Sequence, residues 1–264
     1  MHYKNKVIWI TGASSGIGEA VAYELAQQQA ILILSSRKRA ALEKVQKNCQ
    51  QYTPNVYVEP LDLEQHDQLP AIAQKVIQQH GRLDVLINNG GISQRSLAKD
   101  TIFEVDRRLM NINYLGSIAL TKAVLPTFLQ QQSGQIVPVT SLTGVFGTPY
   151  RSSYAATKHA LHGFFESLRA ELVEDNIDVT IISPGFVKTQ VSINAFIGDG
   201  SSQGSMDYRQ NSGMDATTFA KKMVKAMTKK KKVAYIGKKE VLMVYIKRYL
   251  PWLFYKMITR VQVK

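Results

Sequence analysis

Apolar and polar positions along the chain follow two alternating periods. Short β-branched runs that read as buried strands lie at Lys6 to Thr11, Ala30 to Ser35, Val56 to Glu59, Leu83 to Ile87, Gln135 to Thr140, Val179 to Ser183 and Val233 to Ile236. Runs of this kind suit parallel strands covered on both faces. Between them the spacing becomes helical. Glu19 to Gln28 places Ala20, Val21, Leu25 and Ala26 on one side, and Asp67 to His80 does the same with Leu69, Ile72, Ala73, Val76 and Ile77. Further helices are predicted over Ala40 to Gln50, Ser152 to Asp175, and Ile102 to Gln131 with an interruption near Asn113 to Gly116. Alternation of strand and helix through residue 185 predicts an α/β chain built on one doubly wound parallel sheet, about seven strands with helices on both faces. No repeat or Ser/Gly linker divides residues 1–264, so one domain is expected.

The candidate chemistry gathers where those strands end. After the first strand comes Thr11-Gly-Ala-Ser-Ser-Gly-Ile-Gly18 and then a helix. Glycines there let backbone approach a diphosphate while free helix N–H groups point at it. This makes the sheet Rossmann-type, a dinucleotide-binding fold. The second strand runs into Ser36 and Arg37 with no acid. An acid at that place accepts the ribose hydroxyl of NAD and a base accommodates the extra phosphate of NADP, so NADP(H) is the expected cofactor. Lys38 and Arg39 read as the solvated start of the next helix. The fourth strand ends in Asn88-Asn89-Gly90-Gly91, the fifth in Ser141 and the sixth in Pro184-Gly185. Asn113 stands inside an apolar run, as a kink residue or as a positioned polar group, since a buried amide needs partners. Tyr154 and Lys158 are four apart on a helix and so share a face. An adjacent ammonium stabilises a phenolate, which makes Tyr154 a candidate general acid or base.

Charge separates the C-terminus from the body. Residues 221–264 hold 14 Lys and Arg against the single acid Glu240, which accounts for the entire net charge of +13. The tail Glu240 to Lys264 is otherwise apolar nearly all round, interrupted by Lys247, Arg248, Pro251 and Lys256. It is too short and too charged to span a bilayer. Two readings stay open: an interfacial helix drawn to an anionic membrane surface, or packing on a neighbouring subunit or over the substrate mouth. Nucleic acid is not an expected partner, because the basic residues flank a greasy tail with no binding module. Gln190 to Gly213 is the expected substrate lid, loosened by four glycines and carrying Val191, Ile193, Phe196 and Ile197 to cover an apolar ligand. Cys49 stands alone, excluding an intrachain disulfide and a multi-cysteine metal site. With the first strand beginning near Lys6, a cytoplasmic protein is expected, with peripheral membrane contact through the tail as the open alternative.

In order and spacing, the glycine turn, Asn88-Asn89-Gly90-Gly91, Asn113, Ser141, Tyr154-x-x-x-Lys158 and Pro184-Gly185 resemble the short-chain dehydrogenase/reductase family over essentially the whole chain. Asn88 to Ser96, Asn113 to Gly116, Ala119 to Lys122, Ser192 to Ser201 and the Lys229 to Lys232 run are similar to its branch of members 7 and 7B. The resemblance implies NADP(H)-linked interconversion of a carbonyl and an alcohol on a lipophilic substrate. Tyr154 would protonate the carbonyl oxygen, Lys158 would lower the phenol pKa and hold the nicotinamide ribose, Ser141 would bond the substrate oxygen, and Asn113 would fix a relay water. Gly12, Ser14, Gly16 and Gly18 would cradle the diphosphate and adenosine side, with Ile17 in the same turn. Asp62 would meet the adenine edge, Asn88 would brace the central strand, and Val187 and Thr189 would contact the carboxamide. Gly90 replaces the family's alanine, which removes a methyl and no chemistry. A homodimer or homotetramer is implied. The alternatives are a 3-oxoacyl thioester reductase and, from another class, a non-catalytic dinucleotide-binding sensor or scaffold, against which the intact Asn113, Ser141, Tyr154 and Lys158 set argues.

Overall fold

A computed structural model describes residues 2–259. Its elements run β1 (Val7–Thr11), α1 (Gly16–Gln27), β2 (Ile31–Ser35), α2 (Arg39–Cys49), β3 (Val56–Val58), α3 (Leu69–His80) and β4 (Val85–Asn88). There follow α4 (Phe103–Leu109), α5 (Gly116–Gln131), β5 (Gly134–Pro138), α6 (Ser152–Glu171), β6 (Ile177–Val179) and β7 (Ile181–Pro184). The chain closes with α7 (Tyr208–Asn211), α8 (Ala216–Thr228), β8 (Val233–Ile236), α9 (Leu242–Tyr249) and α10 (Pro251–Ile258).

Six strands pair in the order β3-β2-β1-β4-β5-β6, and β7 pairs with β8; every pairing is parallel. The predicted sixth strand is divided at Thr180. The two halves still share the edge of β5, since Thr180 N donates to Ile136 O at 2.9 Å and Thr140 N to Ile182 O at 2.7 Å. The expected seven-strand sheet is therefore present, with its sixth strand broken where pairing passes from β5 to β8.

Burial on both faces explains the unbroken apolar runs. In β1, Ile8 and Ile10 face a core shared with Leu25 of α1 and Phe219 and Met223 of α8. Val7 and Trp9 face the other core with Val76 of α3, Phe128 of α5 and Phe165 of α6. Trp9 satisfies its indole N–H on Ser35 Oγ at 2.8 Å. Strand order reverses between β1 and β4, and a crevice opens there at the carboxyl ends, where ligands bind in such sheets.

Helices α4 and α5 join through a π-helical turn, Met110–Leu115, at the predicted interruption. Among the described residues, the joined stretch 103–131 is the one helix long and apolar enough to cross a membrane. Leu120, Val124 and Phe128 nevertheless sit in the sheet core. The predicted tail folds as α9 and α10; residues 260–264 of it lie outside the described residues.

Candidate active site

The three glycines after β1 have different tasks. Gly12 and Gly16 adopt φ of +64° and +63°, the left-handed region that disfavours a Cβ. Gly18 is there for room: a Cβ would stand 2.3 Å from the Gly12 carbonyl oxygen. Neighbouring strand ends are tied to this turn. Asn89 Nδ2 donates to the carbonyls of Thr11 and Gly12 at 3.1 and 3.2 Å, and Thr11 Oγ1 accepts from the backbone N–H groups of Asn89 and Gly90 at 3.0 and 2.9 Å. Leu63 Cδ1 takes up the space that the Gly90 methyl would need, 2.6 Å from its ideal Cβ.

A cavity of about 800 Å³ opens in front of this turn. Gly12, Ser14, Gly16, Ile17 and Gly90 line it near α1; Arg37 and Asp62 line it past the ends of β2 and β3; Pro184, Gly185, Val187 and Thr189 line the opposite side. Ser36 Oγ, also on the wall, is buried without a hydrogen-bond partner. A cradle without side chains, a helix N-terminus and an orphaned hydroxyl together fit the diphosphate and ribose of a dinucleotide. Gly18 and Asn88, predicted as cofactor contacts, do not reach the wall. Gly18 lies beneath Gly12, while Asn88 turns inward and donates from Nδ2 to Thr121 Oγ1 at 2.8 Å, bracing β4 against α5.

Tyr154, Ser141 and Lys158 meet in the middle of the same cavity. Gln94 sets the start of α6: its Oε1 accepts from Ser153 N at 2.9 Å and Tyr154 N at 3.2 Å, satisfying two N-terminal donors. Ser141 shares the cavity wall with the Tyr154 phenol and is itself held by Thr143, whose N and Oγ1 donate to Ser141 Oγ at 3.1 and 2.9 Å. Burial pushes the phenol pKa above the usual tyrosine range, opposed in decreasing order by the charge of Arg151, the Ser141 hydrogen bond and the charge of Arg95. Two arginines thus join Lys158 as sources of cationic help for the phenol. Lys158 Nζ lies 5.7 Å from the Tyr154 ring centroid and donates to Val139 O at 3.0 Å. Burial lowers its own pKa to about 8.

Asn113 is both kink residue and positioned polar group. It sits in the π-helical turn with Oδ1 accepting from Ile92 N at 2.8 Å and Nδ2 donating to Ile92 O at 2.9 Å and Thr157 Oγ1 at 3.1 Å. The widened turn lets the amide reach the exit of β4 and α6 at once. A Cβ on Gly91 would meet Asn113 Oδ1 at 2.9 Å and Lys158 Nζ at 3.6 Å, so both groups close around this glycine.

The substrate side is built by residues far apart in sequence. Arg95 Nε donates to Asp207 Oδ2 at 2.6 Å in an ion pair 1% exposed at each side chain, pinning the predicted lid to the loop after β4. From the lid, Val191 and Phe196 line the cavity and Ile193 and Ile197 do not. The tail covers the mouth within the same chain: Val244 and Phe254 pack with Leu142 and Phe146, and Met243 and Ile258 reach the cavity wall. Glu240 fastens the tail's beginning, its Oε1 accepting from Phe186 N at 3.1 Å and Lys238 N at 3.0 Å. Sequence reading missed Gln94, Arg95, Arg151 and Asp207 as site residues. A signal for Arg151 was available, three residues before Tyr154 at the N-cap of its helix.

Comparison with known proteins agrees with this geometry. The short chain dehydrogenase family model matches residues 6–198. A dehydrogenase/reductase SDR family protein 7-like of Anopheles gambiae is 42% identical over 88% of this chain and 74% of its own. The dehydrogenase/reductase SDR family member 7B of Mus musculus is 40% identical over 97% of this chain and 80% of its own. Among solved structures, a short-chain dehydrogenase from Streptomyces avermitilis superposes with a TM-score of 0.81 at 25% identity, covering 97% of this chain and 98% of that one. With its sheet, glycine turn and Tyr154–Lys158 helix all in place, this chain belongs to the short-chain dehydrogenase family, whose members are oxidoreductases.

Proposed function

We propose that the protein interconverts a carbonyl and an alcohol on a lipophilic substrate, using NADP(H), with Tyr154 as general acid and base. The carrying observation is the meeting of Tyr154, Ser141 and Lys158 on the wall of one cavity. The turn Gly12 to Gly16 and the α1 N-terminus would hold the diphosphate, Lys158 the nicotinamide ribose, and Val187 and Thr189 the carboxamide end. Ser36 and Arg37 support NADP(H), offering a hydroxyl without a partner and an exposed cation where an NAD site would carry an acid. Bound there, the nicotinamide would supply hydride to the carbonyl carbon. Ser141 would donate to the carbonyl oxygen, and Tyr154 would give that oxygen its phenolic proton as negative charge develops. A phenol pKa held high by burial keeps this proton in place at neutral pH. Asn113 would position a relay water beside Lys158 for reprotonation.

The test is NADPH oxidation by the full chain with steroid, retinoid and long-chain carbonyls and an acetoacetyl thioester, with Tyr154→Phe as blank. Turnover lost in Tyr154→Phe while NADPH still binds is the expected result. Activity retained by the variant would remove Tyr154 as the acid, and turnover confined to the thioester would move the protein to 3-oxoacyl thioester reduction.

A further inference from the structure

Arg151, just ahead of the Tyr154 helix, is 7% exposed, yet its Nε and Nη2 are buried without a hydrogen-bond partner. These two donors form one edge of the guanidinium, the fork that grips a carboxylate or phosphate through two parallel bonds. The guanidinium also lies over the Phe186 ring, with Cζ 5.5 Å from the centroid. Asp207 cannot fill the fork. Its nearest oxygen is 3.9 Å from Nη2 and is held by Arg95 at 2.6 Å, while its other oxygen accepts from Gln203 at 2.7 Å. Two buried guanidinium groups therefore share one carboxylate, and Arg209 adds a third cation on the same wall. Burial, followed by repulsion from Arg95, lowers the Arg151 pKa to about 9, the mark of a cation short of counter-charge. A buried charge left in this state is costly unless an anion completes it.

We infer that the fork of Arg151 is an oxyanion subsite in the substrate cavity, and that the substrate carries a carboxylate or phosphate close to its reacting carbonyl. The inference rests on the carbonyl-reductase reading above and narrows its substrate class. Closeness follows from position: Arg151 is the N-cap of the helix whose third residue is Tyr154, and both line the same cavity. The remainder of the substrate is lipophilic, because Val191, Phe196, Met243 and Ile258 line the same space. The ligand class is thus an anionic amphiphile with its ketone a few bonds from the charged head. Arg151 is then a specificity-determining residue.

The experiment compares full-length wild type, Arg151→Gln and Arg151→Lys on three probes of matched chain length: a γ-oxo fatty acid, its methyl ester, and the phosphate monoester of a hydroxyketone. NADPH oxidation gives kcat/KM for each. Calorimetry in the presence of NADP+ gives the affinity for a saturated fatty acid that cannot be reduced. The wild type should prefer one anionic probe to the ester by about tenfold or more, and the better of acid and phosphate identifies the head group. That ratio should fall toward one in Arg151→Gln and lie between in Arg151→Lys, which keeps the charge without the fork. If Arg151 only braces the lid through Asp207, all three probes lose equally and the ratio survives, which overturns the subsite. So does a wild-type ratio near one. Should neither these probes nor the carbonyl panel above turn over, the carbonyl-reductase reading fails by itself. Calorimetry then decides the subsite: affinity about tenfold weaker in Arg151→Gln upholds it, and equal affinity overturns it. NADPH binding by both variants confirms that they are folded.

Discussion

Lys158 connects burial to a measurable pH dependence. Its ammonium is displaced from the ordinary 10.5 to about 8 because the interior disfavours charge. Below that value the group is a cation able to serve the ribose and the phenol; above it the cation is lost. Reduction should therefore be level below about pH 8 and fall by about tenfold per pH unit above it, with the limb moved to higher pH in Lys158→Arg. A kcat/KM profile without a limb in that region would remove the charged lysine from the rate. Stability runs the other way. Between about 8 and 10.5 the unfolded chain holds the Lys158 proton and the folded chain does not, so this group's contribution to stability increases with pH across that window. The Tyr154–Lys158 pair was legible in the sequence because four-residue spacing on a helix is a local rule. The Arg95–Asp207 pair and the Gln94 cap were not, since they join residues 112 and 59 apart and follow from the fold alone.

For the elements, legibility depended on whether a signal was local. β1, the glycine turn and α1 announce themselves, because each glycine answers to backbone conformation or crowding within a few residues. An asparagine in an apolar run marked the break between α4 and α5, yet nothing local specified a π-helical turn, which is fixed by the partners of Asn113 at Ile92 and Thr157. The β2 end is the element with a specificity consequence. Arg37 is exposed on the cavity wall and Ser36 Oγ is without a hydrogen-bond partner, so the loop offers donors and no acceptor carboxylate. Arg37→Asp should repel a ribose phosphate and accept ribose hydroxyls, shifting the NADPH to NADH ratio of kcat/KM by about tenfold or more toward NADH. An unchanged ratio in steady-state assays with both cofactors would mean that the extra phosphate is read elsewhere.

Across the whole molecule, the tail assigns the basic charge its place. One side of α9 and α10 is spent on the cleft through Val244 and Phe254, while the other leaves Tyr249, Trp252 and Tyr255 at 70%, 68% and 60% exposure. Arg248 and Lys256 are exposed with them, within the segment that holds the chain's entire excess charge, while Lys247 turns inward and donates to Val145 O. The cleft and membrane readings of the tail are compatible, because α9 and α10 each carry a packed inner side and an exposed outer one. Sequence could not show this, since the inner face is defined only by the cleft it covers. Exposed aromatics among cations match an anionic lipid surface, where rings enter the headgroup level and lysines meet its charge. We propose that α9 and α10 lie on such a surface. Their inner residues Met243 and Ile258 edge the substrate cavity, so this orientation would bring its mouth to a reservoir of lipophilic substrate. Full-length protein should then sediment with phosphatidylserine-containing vesicles at low salt, less with neutral vesicles, and should be released as screening shortens the reach of charge. Trp252→Glu with Tyr255→Glu, both outward-facing, should abolish sedimentation while NADPH still binds. Equal sedimentation of wild type and variant would defeat the membrane assignment. So would a wild-type dimer that the double substitution dissociates in the absence of any vesicle binding, since the aromatic face would then belong to a second copy of the chain.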